Sequence, residues 1–163
     1  MCGLFGHYSL CDVEDTETVK SRLLSAQCAL HSRGPDDRGL ETFSVMRGKS
    51  VPVGSLTLGH TRLSILDVSS AGHQPMHSGD GGFTIVFNGE IYNYLELRAN
   101  LNTAGYNFST DTDTEVLLAA WAHWGISCLH RLTGMFAFAV YDRQDQSLTL
   151  VRDAFGIKPL FYS

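Results

Sequence analysis

The sequence predicts an α+β fold built mostly on antiparallel sheet. Three observations carry this. Short apolar segments of strand length cluster at both ends of the chain. Two helix-start signatures, Asn93 with Glu96 and Thr112 with Glu115, lie between them. Near the end, the polar stretch Asp142 to Ser147 joins two apolar runs as a hairpin would. Strands at both ends with helices between favour α+β over an alternating parallel fold.

Taken in order, Cys2 to Ser9 reads as a short apolar strand. Thr16 to Leu30 reads as a helix with Val19, Leu23, Ala26 and Leu30 on one face. Gly-Pro-Asp-Asp marks Arg33 to Gly39 as a loop. Strands are expected at Glu41 to Met46 and from Ser55 to about Leu66, followed by a Gly, Ser and His rich loop over Asp67 to Gly82. Phe83 to Asn88 is a compact strand. The helix opened at Asn93 ends at Gly105; the one opened at Thr112 runs to Gly125, with Val116, Leu117, Ala120, Trp121 and Trp124 inward. A short helix follows at Ile126 to Leu132. Met135 to Tyr141 and Leu148 to Arg152 form the hairpin, and Pro159 to Tyr162 reads as the beginning of one more strand.

The chain has 163 residues, the size of one domain. Apolar residues make up 44% and charged residues 18%, an ordinary globular composition. With 12 Lys and Arg against 17 Asp and Glu the net charge is −5, which argues against a nucleic-acid binder or a polybasic membrane contact. The longest apolar run, Met135 to Tyr141, falls far short of the about 20 residues a membrane span needs. The N-terminus lacks a basic n-region and meets Asp12, Glu14 and Asp15 early, so no signal peptide is expected. Cys2, Cys11, Cys28 and Cys128 match no zinc spacing; reduced thiols in a cytoplasmic protein are the expectation. His60, His73 and His77 lie close in sequence but not at metal-ligand spacing on a helix, and no phosphate-binding glycine loop occurs.

Four places carry candidate chemistry. Removal of Met1 would leave Cys2 with a free α-amine, whose ordinary pKa of about 7.7–8.0 makes it a base at neutral pH. One residue then supplies nucleophile and proton acceptor; the alternative is a small buried side chain at a strand start. Arg62, among apolar strand residues, offers a planar fork for a carboxylate, or else lies along the surface. Asn88 and Gly89 end an apolar strand: either a hairpin turn, or two donors converging on a developing negative charge. Asp113 at a helix start either answers the helix dipole or binds a substrate ammonium.

These places fall inside ordered motifs: Met-Cys-Gly-Leu-Phe-Gly at 1–6, Arg-Gly-Pro-Asp-Asp at 33–37, Gly-His-Thr-Arg-Leu-Ser-Ile-Leu-Asp at 59–67, Gly-His-Gln-Pro-Met at 72–76, Phe-Asn-Gly-Glu-Ile-Tyr-Asn-Tyr at 87–94, Thr-Asp-Thr-Glu at 112–115 and Arg-Asp-Ala-Phe-Gly-Ile-Lys-Pro-Leu-Phe-Tyr at 152–162. Over its whole length the chain resembles the glutaminase domain of class II glutamine amidotransferases, in the asparagine synthetase branch. The resemblance implies a four-layer αββα sandwich of the N-terminal nucleophile hydrolase type, with further strands following Ser163. It implies Cys2 as nucleophile and Asn88 and Gly89 as the oxyanion hole. Arg62 would take the α-carboxylate of L-glutamine, the backbone of Leu63, Ser64, Ile65 and Leu66 would line the pocket, and Glu90 and Asp113 would hold the α-ammonium.

No metal or organic cofactor is implied for this domain; ATP and magnesium belong to a synthetase domain, expected in cis or in trans. A homodimer is a further expectation. One departure is that Ser32 stands where the family has His before Arg-Gly-Pro-Asp, so His31 receives no role. The ammonia acceptor stays open between aspartate and a sugar or natural-product carboxylate. A non-catalytic interaction domain keeping the fold is the reading from another class; intact Cys2, Arg62, Asn88 and Asp113 argue against it.

Overall fold

The computed structural model describes residues 2–9, 16–47, 51–65 and 67–163. Its elements are β1 (Gly3–Ser9), α1 (Thr16–Ala29), β2 (Asp37–Arg47), β3 (Val51–Arg62), β4 (Met76–His77), β5 (Phe83–Ile91), α2 (Tyr94–Thr103), α3 (Asp113–Trp124), β6 (Gly134–Asp142) and β7 (Ser147–Arg152). Two antiparallel sheets form, one ordered β1-β3-β2 and the other β4-β5-β6-β7.

Strand alternation assigns the layers. Phe43, Val45, Leu56 and Leu58 of the first sheet pack against Val86, Ala139 and Tyr141 of the second. The opposite face of the second sheet, with Ile85, Phe87, Phe138 and Val140, packs under Leu97 and Leu101 of α2 and Val116, Leu117 and Trp121 of α3. Helix α1 lies against β1 and β3 on the outer face of the first sheet. The stack is therefore α, β, β, α, as expected.

Several local expectations are corrected. Strand β2 begins at Asp37 rather than after Gly39, because Asp37 to Leu40 already pair with Arg62 to Gly59 on β3. The long loop contains the two-residue β4, paired with Ile85 and Thr84. Asn88-Gly89 is not a turn; β5 continues to Ile91 because β6 offers partners down to Gly134. The segment after α3 is a 3-10 helix, Gly125–Arg131. Pro159 to Tyr162 is not a strand; Phe161 and Tyr162 are exposed, and no described strand pairs with this segment.

The two helix-start signatures part company. Thr112 caps α3, accepting the Glu115 N–H at 3.2 Å, while the Glu115 carboxylate turns to Ser109 and Thr110 instead of closing the box. Asn93 caps nothing: its amide donates to Arg131 O and accepts from Thr133 N–H, both at 2.9 Å, tying the start of α2 to the entry of β6.

Candidate active site

A cavity of about 120 Å³ opens where the two sheets meet at one end. Cys2 stands just before β1 at this end, where Gly3 pairs with Thr61 of β3. Its Sγ is 3.4 Å from the Leu63 N–H, which points at it, and 3.8 Å from the Leu63 carbonyl. The Arg33 Nε–H donates to the Cys2 carbonyl at 3.2 Å. Asp36 completes the support: its N–H donates to Arg62 O at 3.0 Å, and its carboxylate accepts the Ser64 N–H at 2.8 Å.

Arg62 has the parity of Leu56 and Leu58, so its side chain leaves β3 toward the second sheet. It is buried, and its guanidinium donates to the carbonyls of Ser69, at 2.7 Å, and Asp67. Gly72 lies flat against it; a Cβ there would sit 2.0 Å from Nη2. Arg62 thus organises the loop that follows it as well as lining the cavity.

Opposite stands the end of β5. Asn88 has the parity of Val86, so its side chain faces the first sheet and Cys2. The backbone supplies a second pattern. Along an antiparallel strand, alternate residues send N–H and C=O to the same edge. On the edge where β4 pairs with Ile85, the Phe87 N–H donates to Gln74 Oε1 at 2.7 Å and the Ile91 N–H to Asp113 Oδ2 at 2.9 Å. The Gly89 N–H belongs to the same row, between them, and faces the cavity. Only glycine fits at 89: a Cβ would lie 2.3 Å from Met135 O.

Asp113 is 6% exposed at the first turn of α3. Burial pushes its carboxyl up to about 6; the Glu90 charge adds to this, and hydrogen bonds from the Ile91 and Thr114 N–H groups offset part of it. A carboxyl perturbed by burial at a cavity marks Asp113 as a candidate functional group.

Of the residues singled out from sequence, Cys2, Arg62, Leu63, Ile65, Asn88, Gly89, Glu90 and Asp113 share this cavity. Ser64 stands beside the cavity rather than in its lining, with its N–H donated to Asp36. Leu66 lies outside the described residues. Sequence reasoning missed Gln74, Thr114 and Lys158, which also line the cavity, and gave Arg33 and Asp36 no role beyond their motif. Gln74, Thr114 and Lys158 all sit inside the ordered motifs, the only signal available for them. Among the described residues no group of three or more His, Cys, Asp or Glu side chains could hold a metal, and no helix is long and apolar enough to cross a membrane. Cys2, Cys28 and Cys128 are free thiols.

A family profile described as a glutamine amidotransferase domain matches residues 1–163. Asparagine synthetase [glutamine-hydrolyzing] 1 of Bacillus subtilis is 40% identical over 163 residues, covering 100% of this chain and 24% of that protein. A putative asparagine synthetase [glutamine-hydrolyzing] of Mycobacterium tuberculosis H37Rv is 46% identical over 146 residues, covering 86% of this chain and 22% of its own length. The chain thus spans about a quarter of these relatives. In structure it is similar to a glutamine phosphoribosylpyrophosphate amidotransferase from B. subtilis, with a TM-score of 0.66 and 21% identity over 96% of this chain and 38% of that one.

Proposed function

The chain belongs to the glutamine amidotransferase domain family, and from that premise we propose that it hydrolyses L-glutamine to L-glutamate and ammonia through a γ-glutamyl thioester on Cys2. The observation that carries the reading is the facing pair of walls: the Cys2 thiol on one sheet, and the Asn88 amide and Gly89 N–H on the other, lining one small cavity.

The Cys2 α-amine, freed by loss of Met1, takes the thiol proton through a water. The thiolate attacks the side-chain amide carbon, and the carbonyl π pair moves onto oxygen. Asn88 and Gly89 donate to that oxyanion; one such donor contributes about 2.7–4 kcal/mol in comparable sites. The amine returns its proton to the leaving nitrogen, ammonia departs, and a water adds to the thioester to release glutamate. Arg62 takes the substrate α-carboxylate with the N–H groups its loop carbonyls leave over. Asp113, with Glu90 beside it, takes the α-ammonium; a cation there favours the ionised form that burial opposes.

The ammonia would amidate an acceptor in a synthetase domain, in cis or in trans. Aspartate is the proposed acceptor, since the relatives above are asparagine synthetases. The test is ammonia release from L-glutamine in the presence of hydroxylamine. An acyl-enzyme partitions to γ-glutamylhydroxamate; a direct attack by water gives none.

A further inference from the structure

We infer that Gln74 is a positioning residue for this site: its carboxamide, held between the Phe87 N–H and the Thr114 hydroxyl, fixes the spacing of the Gly89 N–H and the Asp113 carboxylate. The inference rests on the proposed roles of those two groups.

Strand β4 ends at His77 on one side and begins only at Met76 on the other, so it covers β5 no further than Ile85. Beyond that point no described strand pairs with the outward edge of β5, yet Phe87 is buried and its backbone polar groups need partners. Side chains supply them. The Phe87 N–H donates to Gln74 Oε1 at 2.7 Å, and the Phe87 carbonyl accepts from His60 Nε2–H at 3.0 Å. Among the described residues the His60 ring has no other partner: Nδ1 is buried and unbonded, and burial lowers its pKa to about 4, keeping it neutral. Phe87, two residues before Gly89, is thus gripped at both its backbone polar groups.

Gln74 does more than replace a strand. Its Nε2–H donates to Thr114 Oγ1 at 3.3 Å, and Thr114 follows Asp113. The neighbouring carboxylate closes the other end of the row through the Ile91 N–H at 2.9 Å. The order along the edge is Gln74, the open Gly89 amide, then Asp113. The open donor is bracketed by two side chains that α3 connects. A carboxamide suits the first bracket because one group both accepts and donates; a carboxylate or an aliphatic chain cannot do both.

Gln74→Leu keeps nearly the same volume and removes both bonds. A displacement of about 1 Å at a reacting centre can cost about 100-fold, so kcat is expected to fall about 10- to 100-fold. Thr114→Val removes only the hydroxyl and is expected to lower kcat by a smaller factor. The double variant should lose no more than Gln74→Leu alone, within about 2-fold. A second readout separates positioning from general stability: the Gly89 amide resonance should shift in both single variants while amides in β7 stay in place. If Gln74→Leu does not fold, the Thr114→Val shift and kcat decide alone. Unchanged kcat with an unmoved Gly89 amide, or losses that multiply in the double variant, would overturn the inference. Absence of ammonia release by the parent chain instead overturns the proposed activity, and the Gly89 shift still tests Gln74.

Discussion

The two walls of the cavity are held by different physics. The β5 wall is an extension of the sheet. Its register against β6 is unbroken from Phe83 to Ile91, and the alternation of a strand aims the Asn88 side chain one way and the Gly89 N–H another. The facing wall is assembled from strand ends and loops. There Arg33 holds the Cys2 carbonyl, Arg62 holds the Ser69 and Asp67 carbonyls, and Asp36 holds the Ser64 N–H. On the proposed reading the oxyanion donors Asn88 and Gly89 come from the β5 wall, and the α-carboxylate contact Arg62 comes from the tied one. Changes at Asn88 and Gly89 should therefore touch chemistry and leave binding alone, whereas changes at Arg62 should alter binding and loop order together.

The largest effect expected on this contrast is at the nucleophile. Cys2→Ala should lower ammonia release by at least about 10⁴-fold with thermal unfolding unchanged, since the side chain is small and only partly buried. Protein that retains Met1 should be equally inactive, because an acylated nitrogen is no base; intact mass paired with activity checks this. Next comes Asn88→Ala on the β5 wall. Steady-state kinetics should show kcat down about 10²- to 10³-fold with KM nearly unchanged, because the oxyanion exists only after attack.

Arg62→Ala probes the tied wall. The substrate carboxylate is unchanged through the reaction, so KM for glutamine should rise about 10- to 150-fold. Unlike Asn88→Ala, it should also lower the melting temperature, because the carbonyls of Asp67 and Ser69 lose their donor. Arg62→Lys, which keeps the charge but not the fork, should recover part of the KM and little of the melting temperature. Equal stability of Arg62→Ala and Asn88→Ala would break the contrast.

The smallest expected effect is the pH response of Asp113. Its folded pKa of about 6 lies above the ordinary 3.8. Below about 3.8 both states are protonated and nothing is lost. Between 3.8 and about 6 the unfolded carboxyl ionises while the folded one keeps its proton, so stability falls as pH rises and the full loss stands above about 6. At 1.36 kcal/mol per pKa unit that is at most about 3 kcal/mol. Asp113→Asn keeps an acceptor for the Ile91 N–H. It should be more stable than the parent near pH 7.5 and no more stable near pH 3.5, measured by urea unfolding, while its KM for glutamine rises. In the parent, kcat/KM should climb with pH through about 6 as the carboxylate forms beside Glu90, with Arg62, Asp67 and Lys158 sharing the cavity.

The α+β class was legible because strand-length apolar runs and the 3.6-residue period of α3 are properties of the chain alone; the four layers came with the resemblance carried by the ordered motifs. The cavity was legible because its chemical residues fall in ordered motifs. What stayed hidden depends on contacts remote in sequence. Asn93 and Thr112 carry the same local signature, yet Asn93 is recruited by Arg131 and Thr133, which no window around it contains. Asn88-Gly89 reads locally as a turn, and only the length of β6 makes it strand. Gln74 matters because β4 stops short, a fact about sheet geometry rather than about Gln74. Arg62 is visible as a cation, but its grip on two loop carbonyls is not.

The most direct test is mass spectrometry of the chain quenched in acid during turnover of L-glutamine. A γ-glutamyl adduct is expected on the peptide that begins at Cys2, with its α-amine free, and it should disappear when the thioester is treated with hydroxylamine. Steady ammonia release with no adduct on Cys2, or an adduct on Cys28 or Cys128, would contradict the Cys2 thioester.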